Sequence, residues 1–399
     1  MPDPLPEGTR LLHVGPGKTG TTALQSAFHH NREATGEHGV FYAGGGRQPW
    51  TAANQALTLS PARPDGPVDR WEKLLEDIEE ADATRVVISS EAFARADQHA
   101  AAAVVDALGR DRTHVVLTMR PPADLLSSNW WQSVAGGGRR SYVEWLERIL
   151  KADDAGNIAD AAFWFRTRFD TIAARWAEIV GPENVTAVSL AGQPRDFVLR
   201  VFEQLTALPE GVLVPGPGES NASLAHPVAE TIRQFYEIRR KEGLRKDPEV
   251  DQIRGAALNM MRRDTHLLTG EDPIQTPKWA VDAASEVAHD INKGLLDLGV
   301  NIVGDLEPLT RSSRPAPEVV ETPRSIPVTD AAALIYEMVR SAQLHEERAV
   351  AAARKAARQS ETRRADRRAA RQAPPADQLG GRELLRLLGA RAKRRVTGR

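Results

Sequence analysis

Five short runs of Val, Ile and Leu, each followed by a segment with helical spacing, constrain the fold of this chain more than any other feature. The runs fall at residues 11–15, 40–43, 86–89, 114–119 and 185–190. They are apolar almost without interruption, as strands buried on both faces of a parallel sheet must be. Between and after them, residues 22–30, 71–80, 93–108, 125–134 and 163–180 carry the apolar period of helices. Strand alternating with helix requires right-handed crossovers, so the expected class is α/β. We expect a three-layer sandwich with a central, mainly parallel five-stranded sheet and helices on both faces. Residues 196–205, 227–242, 250–263 and 280–298 read as further helices that cover the sheet and wall a cleft.

Charge divides the chain unevenly. The 52 Lys and Arg nearly balance the 54 Asp and Glu, but 17 basic and only 6 acidic residues lie from Arg340 to Arg399. The sequence therefore reads as an acidic body at 1–310, a Pro-rich linker at 311–328, a long Ala/Arg-rich helix at 329–372 and a basic amphipathic tail at 373–399. Within that tail, Leu384, Leu385, Leu387 and Leu388 alternate with arginines, a composition that suits an anionic membrane surface or nucleic acid. With no cysteine, disulfides and thiol nucleophiles are excluded. Neither a secretory leader nor a membrane span is evident, so the expected location is cytoplasmic, with the tail at the inner face of the membrane as a variant.

The segment RLLHVGPGKTGTTAL is a strand, a glycine-rich turn and a helix start. That order directs backbone N–H groups and the positive end of a helix dipole at one anion. Gly15, Gly17 and Gly20 allow the tight turn; Lys18 adds a point charge; Thr19, Thr21 and Thr22 add hydroxyls. It is not a nucleoside-triphosphate loop of the form G-x-x-x-x-G-K-[ST], because Leu12 stands where the first glycine belongs. A second anion site is suggested by Arg120, which ends the fourth strand, and Ser128, eight residues later near the start of the next helix.

The two sites in this order resemble the sulfotransferases that use 3′-phosphoadenosine 5′-phosphosulfate, and the blocks HVGPGKTGTTALQ, VVISSE and VLTMRPPADLLSSNWWQSV resemble a bacterial branch of that family. The likeness spans roughly residues 8–300 and says nothing of the tail. It implies a P-loop type fold in which Gly17, Lys18, Thr19, Gly20, Thr21 and Thr22 bind the 5′-phosphosulfate of this co-substrate and Arg120 with Ser128 binds its 3′-phosphate. It further implies sulfonate transfer to a hydroxyl or amine of a small-molecule or glycan acceptor. Sulfonate transfer relies on positioning and charge stabilisation rather than on a metal, and no metal is expected. Lys18 would neutralise the leaving phosphate oxygen. Glu91, at the end of RVVISSE, is the candidate base, with His99 as fallback.

His13, inside the first strand, reads as a packing residue, and His114 as a solvent-facing strand start. Trp130 and Trp131 read as core, whereas Trp50 and the segment 221–224 are candidates for acceptor contact. The sequence leaves two rival readings open. One is a P-loop kinase or NTPase, with Glu91 in the place of the magnesium-positioning Asp. The other is an inactive sulfotransferase-like scaffold acting through its basic tail.

Overall fold

The structure, a computed structural model, describes residues 1–57, 70–151, 161–216, 225–243, 255 and 272–372. The readings at 221–224, 250–263 and 373–399 lie outside the described residues. Six strands form one parallel sheet: β1 Arg10–His13, β2 Val40–Tyr42, β3 Arg85–Ser89, β4 Thr113–Met119, β5 Val185–Ser189 and β6 Asn301–Val303, in the order β2-β3-β1-β4-β5-β6. The architecture is the expected α/β sandwich, with one strand more than the sequence suggested. That sixth strand, NIV, is only 3 residues long and follows a helix directly, so no apolar run marks it.

The helices are α1 Thr21–His30, α2 Arg32–Glu37, α3 Trp50–Leu57, α4 Arg70–Glu80, α5 Gln98–Leu108, α6 Pro122–Ala135, α7 Tyr142–Leu150, α8 Ala161–Phe165, α9 Phe169–Val180, α10 Phe197–Thr206, α11 His226–Lys241, α12 Lys278–Leu298 and α13 Val328–Gln372. The strand residues alternate between two cores, as a period of two requires. Leu12, Ile88, Val115, Leu117 and Ala187 face α3, α4, α5, α9 and α12. Leu11, Val87, Val116 and Val188 face α1 and α10, whose Leu24, Phe28, Val201 and Phe202 are fully buried. Each such side chain contributes about 1.5–3 kcal/mol of apolar burial.

β1 is central, with β3 on one side and β4 on the other. The chain order reverses there, and in open α/β sheets the crevice at such a point, beyond the carboxyl ends of the strands, receives the ligand. The loop after β1 and the ends of β3 and β4 therefore meet at one place.

Two compact units are distinguished. The first, Met1–Glu337, includes the segment read as a linker: Ser312 and Ser313 donate to the Asp124 carboxylate in the first turn of α6, and the Lys278 amide donates to the Pro317 carbonyl. The second unit, Met338–Arg399, is described as far as Gln372 and consists there of the continuation of α13. Among the described residues no helix is long and apolar enough to cross a membrane.

Candidate active site

After His13 the chain leaves β1 through Gly15, Pro16 and Gly17 and re-enters helix at Thr21. A side chain at Gly15 is excluded by close approach, since an added Cβ would lie 2.5 Å from both His13 Nε2 and Thr118 Oγ1. Gly15→Ala is expected to destabilise the fold by about 1–3 kcal/mol, read as a lowered midpoint in chemical denaturation. Lys18 has φ 75 and Gly20 φ 83. For lysine this left-handed backbone costs about 1–2 kcal/mol, so the surroundings hold it there. α1 starts with no capping side chain, which leaves the amides of its first turn directed at the space above the loop.

The three threonines divide their roles. Thr19 is fully buried; its hydroxyl donates to the Pro16 carbonyl at 2.7 Å and lies 3.0 Å from Thr118 Oγ1. Thr21, also buried, donates to Glu91 Oε1 at 2.7 Å. Only Thr22 is half-exposed. The hydroxyls of Thr19 and Thr21 are thus turned to the protein, and the Thr19 amide also donates to the Pro16 carbonyl at 3.4 Å, so what the pair can offer an anion is the backbone of Thr21.

Glu91 opens a 3-10 turn, Glu91–Arg95, capped by Ser90, whose Oγ accepts from the Ala92 amide at 3.3 Å and donates to Gln48 Oε1 at 3.1 Å. The second carboxylate oxygen of Glu91 faces the loop, 3.4 Å from the position of a Cβ on Gly17. Glu91 and the loop are therefore brought together. On the same 3-10 turn Arg95 lies over the Trp50 ring at 5.3 Å and donates to Asn54 Oδ1 at 2.6 Å. Trp50 begins α3 and is 46% exposed.

Arg120 is exposed at the carboxyl end of β4 and, among the described residues, makes no hydrogen bond or ion pair. Ser128 lies in the middle of α6 and not near its start, because the helix begins already at Pro122; its hydroxyl donates to the Leu125 carbonyl at 3.1 Å. Trp130 and Trp131 are buried, with Trp130 Nε1 donating to the Arg140 carbonyl. His99 is exposed in the first turn of α5. Among the described residues no group of three or more His, Cys, Asp or Glu is placed to hold a metal ion.

Of the two strand histidines, His13 is buried as expected, and His114 departs from expectation. His114 is buried, with Nε2 2.8 Å from Thr186 Oγ1, because its position on β4 faces the α1 and α10 layer. His13 lies between Ser89 and Thr118 beneath the loop. Burial pushes the pKa of His13 down from 6.5 to about 3 and that of His114 down to about 4. Both stay neutral in the folded chain where the unfolded chain protonates. Stability should therefore fall as pH drops from 6.5 toward 4, with a slope of about 1 kcal/mol per pH unit for each histidine. Denaturation midpoints at pH 7 and pH 5 check this, and His114→Gln should flatten the dependence.

The chain matches no family model and no curated protein. Among solved structures, a sulfotransferase from Alicyclobacillus acidocaldarius aligns with a TM-score of 0.35 and 17% identity, over 59% of this chain and 95% of that one.

Proposed function

We propose that the protein is a sulfotransferase that moves the sulfonate of 3′-phosphoadenosine 5′-phosphosulfate to a hydroxyl or amine of a small-molecule or glycan acceptor. The observation that carries this reading is the meeting of a glycine-rich loop with Lys18, an uncapped helix start and the Glu91 carboxylate at the point where the sheet order reverses. A 5′-phosphosulfate fits that loop, whose amides and lysine supply positive potential without a metal. Arg120, one strand away and exposed, suits a second phosphate.

In this reading the acceptor oxygen or nitrogen attacks sulfur from the Glu91 side, and its proton passes to the carboxylate. The bond between sulfur and the 5′-phosphate oxygen breaks, and Lys18 with the loop amides takes up the charge that develops on that oxygen. Thr21 fixes the orientation of Glu91 through the 2.7 Å hydrogen bond. Trp50, Asn54 and Arg95, on the same side of the sheet edge, form a wall for the acceptor. Calorimetric titration of 3′,5′-adenosine bisphosphate tests the donor half of the reading. Micromolar binding supports it, and absence of binding by the intact protein removes it.

The contact of Glu91 with Thr21 also suits a second reading, a P-loop kinase or NTPase, since a carboxylate and a hydroxyl at a helix start are ligands that a nucleotide-bound magnesium takes. Hydrolysis of ATP in the presence of magnesium, without binding of the bisphosphate, would favour it.

A further inference from the structure

Beneath the loop, side chains from four elements form a continuous hydrogen-bonded row. The Gln25 amide of α1 donates to Ser89 Oγ on β3 at 3.2 Å. Ser89 Oγ is 2.8 Å from His13 Nδ1 on β1, and His13 Nε2 is 3.1 Å from Thr118 Oγ1 on β4. Thr118 Oγ1 is 3.0 Å from Thr19 Oγ1, and Thr19 donates to the Pro16 carbonyl at 2.7 Å. The far end of the row is an amide donor, and the near end is a carbonyl that can only accept. The Tyr42 hydroxyl is also in hydrogen-bonding reach of Ser89, but its own proton goes to the Arg47 carbonyl at 2.5 Å, so it gives no proton to the row. Ser89 therefore gives its proton to His13 Nδ1, His13 carries its own on Nε2 and gives it to Thr118, and Thr118 gives its proton to Thr19. Each hydroxyl proton is used once, and His13 is the neutral Nε2–H tautomer.

We infer that this row sets the anion-binding shape of the loop, with His13 as a positioning residue for the bound phosphate. The inference rests on the reading of the loop as a phosphate cradle. Three features carry it. Both ring nitrogens of His13 are engaged and the residue is 0% exposed, so it has no free nitrogen to offer a substrate. The row ends on Pro16 and Thr19, the residues that bracket Lys18 and its left-handed backbone. Gly15 lies so close on His13 and Thr118 that the strand exit is seated on the row itself. A leucine at position 13 would bury as well as its neighbours Leu11 and Leu12, and an apolar row would avoid the cost of burying polar groups. What an apolar row would lack is the grip on the loop backbone.

Thr118→Val keeps shape and removes the link between His13 and Thr19. We expect the amides of residues 17–22 to exchange about tenfold or more faster in the ligand-free protein, while those of β3, β4 and β5 keep wild-type protection. Affinity for 3′,5′-adenosine bisphosphate should fall about tenfold, and Thr118→Ser should restore both readouts. If Thr118→Val does not fold, Ser89→Ala, one link beyond His13, is measured in the same way. Unchanged loop exchange, or faster exchange spread evenly over the sheet, would overturn the inference. Wild-type protein that fails to bind the bisphosphate would instead overturn the donor reading. The exchange measurement needs no ligand and still decides whether the row holds the loop.

Discussion

In the proposed sulfonate transfer, Lys18→Ala is expected to lower kcat by about 10²–10³-fold, the cost of removing one donor aimed at developing charge in a site of this kind. The effect should fall on kcat more than on KM, because the charge on the leaving phosphate oxygen grows only as the bond to sulfur breaks. A change at this position also alters the backbone. Lys18 has φ 75, a conformation that alanine adopts at the same cost as lysine and glycine adopts freely. Lys18→Gly should therefore be as inactive as Lys18→Ala yet more stable by about 1 kcal/mol. Retention of more than a tenth of wild-type kcat in either variant would show that the lysine does not act on the leaving group.

Arg120→Ala should weaken binding of 3′,5′-adenosine bisphosphate by about 10–100-fold, as expected for the loss of hydrogen bonds between two charged groups. Adenosine 5′-monophosphate, which lacks the second phosphate, should bind the variant and the wild type alike. That difference separates a 3′-phosphate site from a general loss of positive potential, which would weaken both ligands together. Arg120 is exposed and makes no hydrogen bond among the described residues, so the substitution should leave the denaturation midpoint within about 0.5 kcal/mol of wild type. Equal weakening of both nucleotides would refute the assignment.

The parts of the site that were legible in the sequence are those determined by short stretches of chain. The turn from β1 to α1 was readable because glycine, lysine and threonine follow an apolar run within a dozen residues, and Glu91 because it ends another such run. Ser128 falls in the middle of its helix and not near its start, because Pro122 already occupies the first turn of α6, where the missing N–H costs nothing. The sixth strand was invisible because 3 residues carry no period. The short helices α2 and α3 offer little more, whereas α7 does carry a local signal, the Ser141–Glu144 capping box with Tyr142, Trp145, Leu146 and Ile149 on one buried face. The binding of Ser312 and Ser313 to Asp124 joins positions about 190 apart, and no local pattern announces such a contact.

The sequence by itself determined that a parallel sheet would form and that a glycine-rich turn would open toward its carboxyl edge, because strand and helix periods and glycine conformations act over a few residues. Tertiary structure decided which polar side chains serve the ligand and which serve the protein. Thr19 and Thr21 carry the same hydroxyl in the same loop, yet one completes a buried row beneath it and the other orients a carboxylate 70 residues away in sequence. His13 belongs to an apolar strand, and only the register that places it opposite Ser89 on β3 and within reach of Thr118 on β4 turns a buried ring into the centre of that row. Hydrogen-bond partners are chosen by distance in space, and in a parallel sheet that distance is set by crossovers far longer than any sequence motif.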